Sequence, residues 1–125
     1  GPGSGECSAS APAPLAVEPA VERIRGDRHL YHQLLVIFAR TYTDAADRLR
    51  ASLPERRAEA YRIVHSLKGA AATVGAEQVV VAAARLQTAL GAGDPGLESQ
   101  VTELELTLHA ALRAISLLTA SSPRG

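Results

Sequence analysis

Leu97, Val101, Leu104, Leu108, Ala111, Ile115 and Leu118 follow one another at alternating steps of four and three residues. That spacing draws one apolar stripe along a single face of an α-helix, the kind of seam by which helices pack side by side. A helix cannot bury such a stripe alone, so the rest of the chain has to supply partners. Ala60, Ile63/Val64, Leu67, Ala70/Ala71 and Val74 form a second stripe, and Val79, Ala83, Leu86 and Leu90 a third. Between them and the N-terminus run two parallel rows, Leu30, Leu34, Ile37 and Leu35, Phe38, Tyr42, Ala45, Leu49. These predict one helix of about 24 residues with a wide apolar side. No segment shows the two-residue alternation of a half-buried strand. With three tyrosines, one phenylalanine and no tryptophan, the core must be built from Leu, Val, Ile and Ala, which suits close-packed helices better than sheets. Four such helices with short connections predict an all-α fold, an antiparallel up-down-up-down four-helix bundle.

Punctuation residues set the expected boundaries. Pro19 opens a short extra N-terminal helix with Val17, Val21 and Ile24 as its apolar contacts, and Gly26 stops it. Asp27 is placed to cap the long helix that follows. Ser52-Leu53-Pro54-Glu55 reads as a capping box, opening a helix over residues 54–73 that Gly75 ends. The next helix covers 76–91, and Gly91, Gly93 and Asp94-Pro95-Gly96 break it from the last. Residues 1–16 are mostly Gly, Ser, Ala and Pro, too poor in apolar surface to offset chain entropy. The opening Gly-Pro-Gly-Ser reads as a remnant of tag removal, so a fragment of a longer protein is expected. The predicted organisation is a tag remnant and disordered linker over 1–16, a bundle domain over 17–120 and a frayed tail over 121–125.

Composition removes several function classes. Formal net charge is zero, from 13 basic and 13 acidic residues, which leaves no excess to neutralise a phosphate backbone and argues against a nucleic-acid partner. The one cysteine, Cys7, falls in the linker, so neither an internal disulfide nor a cysteine metal site is expected. This is compatible with a reducing cytoplasm. No apolar run approaches the roughly 20 residues of a membrane span, so no direct membrane contact is expected of this segment. HEXXH is absent and no two histidines are spaced i, i+4, so no metal site is predicted.

One stretch does carry chemistry. His65-Ser66-Leu67-Lys68-Gly69-Ala70-Ala71-Ala72-Thr73-Val74-Gly75-Ala76 holds the only lysine of the chain. On a helix, His65 falls away from the centre of the Ile63/Leu67/Ala70 stripe, with Tyr61, Lys68, Gly69 and Ala72 as neighbours at i−4, i+3, i+4 and i+7. A mid-helix glycine costs about 0.5–1 kcal/mol relative to alanine. Alanine is used freely on either side, so Gly69 is better explained as room for another surface to approach the imidazole. Neutral imidazole is a nucleophile, abundant near pH 7, and Lys68 could pair with the charge of a phosphoryl group landing on it. No carboxylate cluster and no glycine-rich phosphate loop accompanies it, so the catalytic groups of phosphoryl transfer would have to come from a partner. Taken by itself, a lone helical histidine is more often just a surface residue. His29, His32 and His109 lack the small-residue surroundings and are assigned no role.

The run from His65 to Ala76 closely resembles the signature of histidine-containing phosphotransfer (HPt) domains. That pattern is His-x-Leu-Lys-Gly, a run of small residues, and Gly-Ala about ten places after the histidine. Gly26-Asp27-Arg28-His29-Leu30-Tyr31, with Leu34-Leu35 and Phe38, is similar to the opening helix of such domains at the C-terminus of bacterial hybrid sensor kinases. The similarity extends over about residues 17 to 118. The resemblance implies that His65 accepts a phosphoryl group from the aspartyl phosphate of a receiver domain and passes it to another receiver's aspartate. It implies that Lys68 stabilises the phosphorylated ring, that Gly69 clears space for the receiver and that Gly75 allows the tight turn into the next helix. Tyr61 and Ala72 flank the docking surface. The carrier itself needs no cofactor, because the receiver brings Mg²⁺ and the acidic pocket. It would be a cytoplasmic carrier without its own catalytic machinery, in a parent that could be an inner-membrane sensor kinase. A second reading is a module that docks a receiver but carries no phosphate. A third, dimerising kinase helices, would need an ATP-binding domain whose motifs are missing. A closed bundle would use up the seam of the last helix internally, so a monomer is expected.

Overall fold

The computed structural model describes residues 13–120, all of them in helices, turns or short connections. Cys7, most of the 1–16 linker and the 121–125 tail, for which expectations were stated above, lie outside the described residues. Six helices follow in order: α1 Val17–Arg23, α2 Arg28–Tyr42, α3 Ala45–Ser52, α4 Arg57–Val74, α5 Glu77–Gly91 and α6 Glu98–Ala120. α2 and α3 form one bent rod. It packs against both α4 and α6, while α5 packs against α4 and α6. The ring is closed, each long element runs antiparallel to the one before it, and α4 stands diagonally across from α6. This is the up-down-up-down four-helix bundle expected, with α1 laid across one end against α2 and α4.

The stripes point inward as their spacing dictates. Leu35, Leu49, Val64, Leu67, Leu86, Leu104, Leu108 and Ile115 are among the deepest side chains, with Ala60, Ala71, Ala83 and Ala111 between them where helices approach closely. Truncating a leucine in such a core typically costs about 2–5 kcal/mol. Three of the four aromatic rings, Tyr31, Phe38 and Tyr42, are buried on α2. Burial pushes the Tyr31 hydroxyl above its ordinary range, so it stays protonated and donates to Val74 O at the end of α4 (2.7 Å). Asp27 caps α2 as expected, accepting from Leu30 N at 2.9 Å.

Three expectations need correction. The first long helix is not continuous, because it breaks at Thr43 and Asp44 between α2 and α3. The Thr41 hydroxyl donates back to Ile37 O (2.7 Å) one turn earlier, a competition that bends helices, and two further polar residues of poor helix propensity follow it. Ser52-Leu53-Pro54-Glu55 is no capping box. Ser52 ends α3, with its hydroxyl donating to Arg48 O (3.0 Å). Leu53 before the proline is extended, as residues preceding proline prefer, and α4 starts only at Arg57. Third, of the two apolar rows on α2, only Leu35, Phe38 and Tyr42 are buried, and Leu34 packs against the core from its edge. Leu30 is 38% and Ile37 58% exposed. At the far end of α6, Leu118 is likewise exposed, and its seam is buried only as far as Ile115.

Gly75 shapes the end that carries α1. It closes α4 in the left-handed conformation, φ 83°, and Ala76 N bonds back to Ala71 O (2.9 Å), so α5 can start at once. Ala16 N donates to Gly75 O (2.9 Å), and Leu15, Ala20 and Val21 are buried there. The N-terminal segment is therefore built onto the C-terminal end of α4.

Candidate functional site

Along α4 the buried positions are Ala60, Ile63, Val64, Leu67, Ala71 and Val74. With 100° per residue, His65 projects nearly opposite the centre of that stripe, and it is exposed. The same geometry brings Tyr61, Gly69 and Ala72 to the surface beside it. Lys68 lies at the edge of this face, half-buried and with no ion pair among the described residues. The ring of Tyr61 runs nearly parallel to the imidazole, 8° between planes and 6.4 Å between centroids. At Gly69 a Cβ would meet nothing within 4 Å. The surface one turn from His65 is thus low and open, bounded by backbone rather than side chains. Ala72 also keeps the surface flat, and the hydroxyl of Thr73 beside it is turned onto its own helix, donating to Gly69 O (3.2 Å). Gly75 lies ten residues beyond His65, buried at the turn under α1, and shapes the site only by ending α4.

Two side chains hold the histidine's segment. Tyr42, at the end of α2, shares a hydrogen bond of 2.6 Å between its hydroxyl and that of Ser66, fixing α4 against α2 next to His65. From the other side Gln87 of α5 places its amide nitrogen 3.0 Å from His65 Nδ1. Sequence reasoning missed Gln87, although a signal was present. In an antiparallel helical hairpin, residues equidistant from the turn face each other, and 65 and 87 are both eleven residues from Ala76. Gln87 therefore stands opposite His65. Its contact directs Nε2 of the ring outward, away from α5.

Sequence reasoning also placed the apolar surface only at Tyr61 and Ala72. The structure adds a larger one. Leu34, Ile37 and Thr41 of α2 and Ala70 and Thr73 of α4 line an open groove of about 240 Å³ beside the histidine's face, continuing toward the exposed Leu30. His29 and His32 lie in the first turns of α2, and His109 on α6. None of them reaches His65. No group of three or more metal-ligating side chains occurs among the described residues, and none of the described helices is long and apolar enough to cross a membrane.

An exposed imidazole held at one nitrogen, a nearby cation without a partner carboxylate and a gap cleared by glycine make a surface at which another molecule can reach Nε2. Comparison with protein families gives a match to the Hpt domain over residues 33–117, a span that contains α3, α4, α5, the C-terminal two thirds of α2 and most of α6. No curated protein matches, and no solved structure matches.

Proposed function

The chain belongs to the Hpt domain family, whose members carry phosphoryl groups in phosphorelays and interact with response-regulator receiver domains, and on that premise we propose that His65 is the phosphoryl acceptor. The observation that carries the reading is the pairing of an exposed His65, held through Nδ1 by Gln87, with the open surface at Gly69. Nε2 attacks the phosphorus of a receiver's aspartyl phosphate. The N–P bond forms as the acyl O–P bond breaks, and the aspartate leaves as carboxylate with the electron pair. A second receiver's aspartate reverses these roles and takes the group away.

For this, Nε2 must hold a lone pair, so the proton of the neutral ring has to sit on Nδ1. Gln87 offers either end of its amide. With nitrogen toward the ring, Nδ1 accepts and the proton sits on Nε2. With the amide turned by 180°, Oε1 accepts from Nδ1–H and Nε2 becomes nucleophilic. Once phosphorylated, the ring keeps its proton on Nδ1. Lys68, one turn along, offsets the phosphoryl charge as a flexible point cation. Mg²⁺ and the acidic pocket are assigned to the receiver. The receiver's footprint covers Tyr61, Gly69 and Ala72 and extends over the groove lined by Leu34 and Ile37. Small, partly apolar contacts of this kind suit a transient signalling encounter, about 1,200 Å² or less in total.

Replacing Gln87 with alanine is expected to leave the fold unchanged and slow transfer about five- to tenfold, the worth of one hydrogen bond near 1 kcal/mol. Nitrogen chemical shifts of the His65 ring should show the loss of its preferred tautomer. An unchanged tautomer ratio and rate would remove Gln87 from the mechanism. The function itself is tested by mixing the chain with phosphorylated receiver domains and then adding a second, unphosphorylated receiver. Label that passes through the chain to the second receiver supports the carrier reading. Binding of receivers without any label reaching the chain would favour a docking module instead.

A further inference from the structure

Arg23, at the end of α1, lies ten residues before the matched family span begins yet reaches the phosphoacceptor helix. Its Nη2 donates to Ala72 O at 2.8 Å. Ala72 is seven residues past His65, which on an α-helix is about 20° short of two full turns and about 10 Å along the axis. The guanidinium therefore stands on the same side of α4 as the imidazole, toward its C-terminal end. Its partner there is a neutral carbonyl, and it makes no ion pair with a carboxylate among the described residues. Two other cations nearby differ. Arg62 is paired with Glu59 at 2.7 Å and Arg28 with Glu18 at 2.6 Å. Lys68 and Arg23 are thus two cations beside this face whose charge no carboxylate offsets among the described residues, in a chain whose net charge is zero. Glu22 precedes Arg23, but it projects on the side of α1 away from the buried Ala20 and Val21.

We infer that Arg23 is an electrostatic docking residue, meeting an acidic side chain on the rim of the receiver that exchanges phosphate with His65. The inference rests on the carrier reading above and adds to it a contact supplied by α1. Lys68 is close enough to His65 to act on the phosphoryl group itself. Arg23 is too far along the helix for that, so its charge acts on approach. Rim charges work mainly through the association rate and its dependence on salt, and opposite charges outside the contact are screened beyond about 8 Å at physiological ionic strength.

The experiment uses the receiver domain that labels the native chain fastest, with association followed by stopped flow from low to high salt. Arg23→Gln keeps a donor for Ala72 O and removes the charge. It should lower the association rate at low salt about three- to tenfold, flatten the salt dependence, and leave the transfer rate at saturating receiver unchanged. Arg23→Lys keeps the charge and should stay near the native rate. Arg113→Gln removes the same charge from α6, an exposed site diagonally across the bundle from α4, and should have no effect. Equal behaviour of Arg23→Gln and Arg113→Gln would overturn the inference, since only net charge would then matter. Arg23→Lys as slow as Arg23→Gln would overturn it too, assigning the effect to geometry. Failure of every receiver to label the native chain is a different result, which sinks the carrier reading and this inference with it.

Discussion

Gly75→Ala is expected to destabilise the bundle by about 2–4 kcal/mol. Two costs combine. At φ 83° an L-residue with a Cβ loses about 1–2 kcal/mol relative to glycine. The added Cβ would also stand 2.7 Å from Ala16 O and 3.2 Å from the Ala20 Cβ. Backbone cannot swing aside as a flexible side chain can, so α1 must shift and give up the Ala16–Gly75 hydrogen bond and part of the burial of Ala20 and Val21. For a domain of this size the fall in Tm should be about 10 °C or more, with faster amide exchange over residues 15–23. A Tm within 2 °C of the native chain would mean that α1 is not seated on Gly75 as described.

Gly69→Leu should act in the opposite direction on stability and far more strongly on function. The site is helical and exposed, with nothing within 4 Å of a new Cβ. Replacing glycine there removes a helix penalty of about 0.8–1 kcal/mol, so Tm should rise by a few degrees. The leucine would nonetheless stand one turn from His65, in the gap through which a receiver must approach. In-line transfer tolerates little displacement, and misplacement by about 1 Å can cost on the order of 100-fold in rate. Transfer to His65 should fall by at least that factor in a protein more stable than the native one. The opposite signs exclude damage to the fold as the cause. Native transfer rates in Gly69→Leu would show that the partner approaches from another side.

The bundle was legible because its signals are local and periodic. The seam from Leu97 to Ile115 is buried as its spacing required, and Gly75 ends α4 in the conformation that glycine accepts most readily. His65 could be placed on the outer face of its helix because one period, applied to six buried neighbours, leaves it little choice. The break at Thr43 and Asp44 was not legible. Ala45 and Leu49 return to the core after the bend, so the apolar spacing reads on through it, and no glycine or proline marks the place. Ser52 misled because a serine three residues before a glutamate serves equally well at the end of one helix or the start of another. The row of Leu30, Leu34 and Ile37 looked like core because periodicity reports that a face is apolar and not what covers it. Gln87 and Arg23 were hidden for another reason. Each meets α4 only through tertiary packing: Gln87 across a hairpin, where counting back from the turn at Ala76 would have found it, and Arg23 from 49 residues away, a distance that no spacing rule spans.

Whether His65 carries the phosphoryl group is decided by comparing the native chain with His65→Gln after exposure to a radiolabelled, phosphorylated receiver domain. Glutamine matches the histidine in polarity at an exposed position, so helix content and Tm should not change. Label is expected on the native chain alone, lost in acid and retained in alkali as an N–P bond requires. Equal labelling of the His65→Gln chain, or label on the native chain that survives acid, would place the phosphoryl group on another residue.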